Sequence, residues 1–203
     1  MIRLLFALIF KLKGWRTRYA EGVNPDEVKK SIFLAAPHTS NWDFVFCVEG
    51  CRQLGIPLRF AIKKEWMTFP FNLAIGPMGG IAIDRSASHK GKRTNMVDDM
   101  AALFEGEKEK VVLICPEATR SRKEIWKKGF YQTALKAQVP ISLAYLDYAK
   151  KEAGVGRILH PSGNFEEDMR IIMDFYKDMT AKVPENFALD KRFSPRPLEQ
   201  EAL

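Results

Sequence analysis

Apolar residues in this chain come in short dense runs, which alternate with stretches where they recur at helical spacing. Residues 31–36 form one such run, closed by Pro37, and predict a buried strand. Residues 41–54 read as a helix stopped at Gly55, 57–63 as a second strand and 80–83 as a short third. Between these strands, residues 66–75 are apolar and aromatic and suit a short helix or a loop lining a pocket. Residues 94–104 predict a helix with Asp98 and Asp99 on its polar side. The sharpest strand signal is 111–115, β-branched and bounded by Lys110 and Pro116. A helix over 129–138, a strand over 140–146 and a further strand over 155–160 follow. Asn164 is placed to cap a last helix, with Glu166, Glu167 and Asp168 in a first turn whose dipole favours carboxylates. Phe165, Met169, Ile172, Met173, Tyr176 and Met179 give that helix one apolar face.

Strands alternating with helices predict an α/β fold: a single domain whose mostly parallel or mixed sheet is flanked by helices. The expected organisation is an amphipathic helix over 1–18, the main domain over 19–183, and a weakly ordered tail over 184–203, where Pro195, Pro197 and scattered charges accumulate.

The first residues change this picture. Arg3, Lys11, Lys13, Arg16 and Arg18 all precede the first acid, Glu21, and they flank an unbroken apolar run from Leu4 to Phe10. That run is far short of the ~20 residues that span a bilayer. Leu5, Leu8, Ile9 and Leu12 follow helical spacing, and Trp15 stands at the edge. Two uses fit: a helix lying on an anionic leaflet, or a first helix packed on the domain's own core. The first places the protein peripherally on the cytoplasmic face of a membrane.

Composition narrows the classes. With 46% hydrophobic and 28% charged residues, the chain can build an ordinary core. The formal charge of +7 calls for an anionic partner. The basic groups gather at the apolar N-terminus and at strand ends without a nucleic-acid-binding motif, so a nucleic acid is not expected. Three cysteines, Cys47, Cys51 and Cys115, are too scattered for a disulfide framework. Three histidines in no ligand-like spacing predict no metal site.

Candidate chemistry sits where open α/β sheets hold ligands, beyond the carboxyl ends of strands. Three polar clusters occur there: His38 to Asp43, Asp84-Arg85, and Glu117 to Arg122. If His38 lies in a loop and Asp43 in the first turn of the next helix, the carboxylate can turn back to the imidazole. It would fix the tautomer and leave the other nitrogen to take a proton from a hydroxyl. Ser40-Asn41-Trp42-Asp43 equally fits a capping box that merely closes the helix start. Likewise, Arg120 and Arg122 with their hydroxyl neighbours fit either a phosphate site or a solvated loop.

Taken together and in order, these clusters resemble the lysophosphatidate (1-acylglycerol-3-phosphate) O-acyltransferase family, over roughly residues 33–148. His38 and Asp43 match its H-x4-D block, and Gly80-Ile81-Ala82-Ile83-Asp84-Arg85 its second block. Pro116-Glu117-Ala118-Thr119-Arg120-Ser121 matches P-E-G-T-R-S, and Val139-Pro140-Ile141 the fourth block. Lys63-Lys64 and Trp126-Lys127-Lys128-Gly129 match accessory positions. The resemblance implies an acyl donor, acyl-CoA or acyl-carrier protein, and a lysophospholipid acceptor, with no cofactor and no metal. It implies His38 as general base, Asp43 as its orienter, and acceptor binding by Arg85, Glu117, Thr119 and Arg120, with Lys64 and Lys127 as further candidates. Two departures stand out. Ala118 replaces a glycine, and Leu143 stands where many members carry a second proline. The alternatives that keep the fold are the same chemistry on a lyso-aminolipid and a catalytically silent lipid-binding module. Nothing in the sequence sets the oligomeric state.

Overall fold

The computed structural model describes residues 2–63, 68, 69, 72–83 and 96–194. Among these residues the sheet has seven strands: β1 (Arg16–Tyr19), β2 (Lys30–Ala35), β3 (Leu58–Lys63), β4 (Gly80–Ile83), β5 (Lys110–Ile114), β6 (Ile141–Asp147) and β7 (Glu152–Leu159). Their order is β1-β7-β6-β2-β5-β3-β4. Every neighbouring pair is parallel except β6 and β7, so the sheet is mixed, with β7 and β1 running against the other five. The helices are α1 (Ile2–Leu12), α2 (Pro25–Val28), α3 (Trp42–Gln53), α4 (Asn72–Ile75), α5 (Met96–Ala102), α6 (Gly129–Ala137) and α7 (Phe165–Tyr176). The α/β fold expected from the alternation is present.

Strand periodicity explains the layering. Successive side chains of a strand point to opposite faces. Ile32 and Leu34 of β2, Val112 of β5, and Ile141 and Leu143 of β6 enter one core, shared with Phe130 of α6 and with Met169, Ile172 and Tyr176 of α7. Phe33 and Val111 enter the opposite core, with Phe6 of α1 and Cys51 of α3. β2 and β6, covered on both faces, are buried along most of their length. Asn164 caps α7 as expected, its side chain accepting from the Glu167 amide at 3.3 Å. The Tyr176 hydroxyl reaches the carbonyls of Leu34 and Ala144 at 2.7 and 2.9 Å, which pins the helix to the two central strands.

Two boundaries differ from the sequence reading. The amphipathic segment expected over 1–18 divides. α1 ends at Leu12, Gly14 turns the chain with φ of +73°, and residues 16–19 join the sheet beside β7. Arg-Thr-Arg-Tyr is an edge strand with Arg16 and Arg18 exposed and Thr17 and Tyr19 half-buried, an alternation only four residues long. Nor is the segment after Pro184 loose as far as Ser194. Ala188, Asp190 and Phe193 are buried, because Asp190 takes the Trp126 amide at 2.9 Å and the Arg192 guanidinium at 2.6 Å.

α1 has two apolar faces with different fates. Phe6 and Phe10 are buried, and Phe10 packs 6.2 Å from Phe46 of α3, centroid to centroid. Leu4, Leu5, Leu8 and Leu12 stay exposed, Leu4 by 77% and Leu12 by 75%. Anchoring to the core and an outward apolar stripe therefore coexist on one helix. Among the described residues no helix is long and apolar enough to cross a membrane.

Candidate active site

Three adjacent parallel strands, β6, β2 and β5, end at the same edge of the sheet. Just beyond their carboxyl ends stand Tyr148, His38 and Glu117 respectively. Shared strand direction and register bring these residues together from positions up to 110 apart in the sequence.

His38 lies in the loop after β2, and Asp43 in the first turn of α3. The His38 Nδ1 and Asp43 Oδ2 atoms are 3.3 Å apart, with the histidine side chain 22% exposed and the aspartate nearly buried. Asp43 Oδ2 also accepts the backbone amides of Thr39 at 2.7 Å and Ser40 at 2.8 Å, while Oδ1 accepts the Tyr148 hydroxyl at 2.6 Å. Burial alone would push the Asp43 carboxyl upward. The bonds from His38, Tyr148, Ser40 and Thr39 outweigh it and hold the group below its ordinary value, so it remains a carboxylate. The two readings of Asp43 thus merge. It organises the loop at the helix start and also faces the imidazole, although the helix cap itself is Asn41 rather than Ser40.

Tyr148 carries no motif, and the sequence reading assigns it no role. It is found by geometry. Asp147 fixes the turn behind it by accepting the amides of Ala149 and Lys150 at 3.0 and 3.1 Å. The edges of Trp15 and Phe46 hold its ring, with centroids 4.9 and 5.8 Å away. Burial and then the neighbouring Asp43 push its hydroxyl pKa far up, so it serves as a donor.

Glu117, for which the resemblance implies acceptor binding, also links two loops of the site. It is 5% exposed, and its Oε1 accepts the backbone N–H of His38 at 3.1 Å, which ties the two loops together. Its Oε2 is buried with no partner among the described residues. Burial raises its pKa to about 7. The following residue, Ala118, adopts φ of +57°, the left-handed conformation for which glycine is the natural choice. The substitution therefore leaves the turn in place and costs about 1 kcal/mol of backbone strain. Leu143, the other departure, is a fully buried core residue of β6.

The remaining candidates separate. Arg120 and Lys127 are exposed and form no ion pair with any described residue. Thr119 is half-buried, and its Oγ1 accepts the Ser121 amide at 3.3 Å, a local turn contact. Arg122 is engaged elsewhere, donating to the Phe187 carbonyl at 2.9 Å and lying 3.5 Å from Glu124. Lys64 and Arg85, together with Asp84, lie outside the described residues. Among the described residues no cluster of three or more His, Cys, Asp or Glu side chains could hold a metal ion, and the three cysteines are free thiols.

The raised pKa of Glu117 has a consequence for stability. A glutamate that ordinarily releases its proton at 4.5 keeps it until about 7 in the folded chain. The folded state thus binds more protons across that window, and stability is lost as pH rises through it. Glu117→Gln keeps an oxygen for the His38 amide and removes the titration. Its unfolding free energy relative to wild type should rise by about 2–3 kcal/mol between about pH 5 and about pH 8. Urea denaturation of both proteins at the two pH values measures this.

An acyltransferase family model matches residues 18–144, more than half of the chain. No curated protein sequence matches it significantly. The crystal structure of the 1-acyl-sn-glycerophosphate (LPA) acyltransferase PlsC from Thermotoga maritima is similar in fold, with a TM-score of 0.57 and 17% identity, covering 89% of this chain and 80% of that one. The matched region contains His38, Asp43 and the Glu117–Arg120 loop, and the chain belongs to the acyltransferase family.

Proposed function

We propose that this acyltransferase moves a fatty acyl group from acyl-CoA or acyl-carrier protein to the free hydroxyl of a lysophospholipid, lysophosphatidate by default. The observation that carries this reading is the His38–Asp43 pair at 3.3 Å, with the Asp43 carboxylate held by three further donors. With Nδ1–H donated to Asp43, His38 Nε2 is the nitrogen left to accept the acceptor's hydroxyl proton. The alcohol oxygen then attacks the thioester carbonyl carbon. The tetrahedral intermediate collapses as the C–S bond breaks, and the imidazolium returns its proton to the departing thiolate. The amides of Thr39 and Ser40 already donate to Asp43, so they do not serve as donors to the oxyanion.

Arg120 and Lys127, exposed and without an ion pair among the described residues, are the proposed ligands of the acceptor's phosphate, a reading supported by the bidentate pairing of guanidinium with such groups. Arg85 and Lys64 are further candidates by family resemblance alone. The reaction is proposed to occur at an anionic membrane surface on the cytoplasmic side. There the exposed leucines of α1 enter the interface while Lys11 and Lys13 meet headgroup charge; Arg3 instead donates to the Pro77 carbonyl.

Transfer of a labelled acyl chain to a panel of lyso-lipids tests the chemistry. His38→Ala should lose about 10³-fold or more in kcat while keeping its circular dichroism spectrum. Arg120→Ala should raise KM about tenfold for lysophosphatidate and much less for a zwitterionic lyso-aminolipid. Full activity of His38→Ala would sink the mechanism, equal KM effects on both acceptors would remove Arg120 as the phosphate ligand, and a wild-type preference for the aminolipid would move the acceptor to that class.

The surface reading has its own test in sedimentation with anionic vesicles. Replacing Leu5, Leu8 and Leu12 with Asp should weaken vesicle binding about tenfold or more, with the fold retained because Phe6 and Phe10 still anchor α1. Unchanged binding would refute the interfacial helix.

A further inference from the structure

The loop of residues 116–128, which carries Glu117, Arg120 and Lys127, has little regular structure of its own. Internally it is closed by the Lys127 amide, which donates to the Pro116 carbonyl at 2.9 Å. Most of its remaining fixed contacts come from one segment late in the chain. The Trp126 amide donates to Asp190 Oδ2 at 2.9 Å, and the Trp126 indole N–H to the Ala188 carbonyl at 3.0 Å. Arg122 donates to the Phe187 carbonyl at 2.9 Å, and the Lys191 amide to the Glu124 carbonyl at 3.0 Å. Arg192 closes the set, reaching the Trp126 carbonyl at 3.2 Å while pairing with Asp190 at 2.6 Å.

The same segment continues to the histidine loop and to the turn after β6. The Val183 amide donates to Thr39 Oγ1 at 3.2 Å, and the Tyr148 amide to the Thr180 carbonyl at 2.9 Å. Residues 180–193 therefore touch all three strand-end loops of the site. Asp190 is fully buried, and its carboxylate is satisfied by four donor contacts, from the Trp126 amide and from the backbone and guanidinium of Arg192. Trp126, at 2% exposure, is the anchor through which the loop is held.

We propose that residues 180–193 are a positioning strap, with Asp190 its central positioning residue, that fixes the 116–128 loop relative to the His38 loop and so sets affinity for the acceptor. Asp190 touches no reacting atom. It acts by holding Trp126, and through it the backbone that presents Arg120 and Lys127. Binding an anionic headgroup to a loop that is already ordered avoids the entropy of ordering it at that moment, so loosening the strap weakens binding first. Asp190 bonds none of the residues around the His38–Asp43 pair, since the strap's contacts to Thr39 and Tyr148 come from Val183 and Thr180. Asp43 keeps its bonds from Thr39, Ser40 and Tyr148, so losing Asp190 spares the chemical step.

This inference rests on the reading of Arg120 and Lys127 as acceptor ligands, and one of its two readouts is independent of that reading. In Asp190→Asn, amide exchange across 116–128 should accelerate about tenfold or more while that of β6 stays unchanged. KM for lysophosphatidate, assayed with one acyl-CoA, should rise about fivefold with kcat within about twofold of wild type. Unchanged exchange across 116–128 would overturn the strap, and accelerated exchange with unchanged KM would overturn its role in acceptor binding. Should Asp190→Asn fail to fold, Arg122→Gln removes one exposed contact of the strap, and it should raise loop exchange and KM in the same direction by about twofold. No change in either would overturn the proposal. If the wild-type enzyme transfers to no lysophospholipid, the proposed acceptor is wrong, and the exchange readout still decides whether the strap holds the loop.

Discussion

The carboxylate of Asp43 is the hub on which the site depends. It accepts two loop amides, faces the imidazole of His38 and takes the hydroxyl of Tyr148. A buried carboxylate is costly unless donors surround it, and here four of them do, which keeps it ionised. Each bond also fixes something else: the amides fix the loop, the imidazole contact orients the ring, and Tyr148 ties the helix start to the end of β6.

Around that hub the fold delivers parts rather than chemistry. Three neighbouring parallel strands bring their carboxyl ends to one edge, so residues distant in sequence share one loop cluster. The aromatic packing of Phe10, Trp15 and Phe46 joins α1 to α3 and supports the Tyr148 ring, with Trp15 and Phe46 stacked at 4.2 Å. The helix whose outer face is proposed to meet a membrane thus has an inner face that contributes to the setting of the His38–Asp43 pair. The segment 180–193 meets this packing at Tyr148, whose amide donates to the Thr180 carbonyl, and extends from there to the 116–128 loop. Glu117 joins the two sides, for its carboxyl accepts the His38 amide.

Much of this was legible in the sequence, and the failures have physical causes. Buried strands such as β2, β5 and β6 announce themselves as apolar runs because both faces are covered. His38, Asp43 and the 116–121 cluster stand out by residue type and order. Most of β1 falls inside the helix expected over 1–18 because four residues, Arg16 to Tyr19, are too short an alternation to stand out beside the basic helix before them. Residues 184–194 carry no sequence sign of their order because that order comes from one buried carboxylate and one buried indole, a long-range pairing that no local composition encodes. Tyr148 escaped notice for the same reason, since its partner lies 105 residues away. Ala118 shows the reverse. The sequence flagged a departure from glycine, and the backbone keeps the left-handed turn regardless.

The central claim is that Asp43 fixes which ring nitrogen of His38 is free for proton transfer. Nitrogen-15 NMR of histidine-labelled protein reads this directly, with the His38 signals assigned by comparison with a His38→Gln variant. In the neutral imidazole, the account predicts a protonated Nδ1 coupled to its hydrogen and an unprotonated Nε2, with that preference weakened in Asp43→Asn. A neutral His38 carrying its proton on Nε2 in the wild-type protein would contradict it.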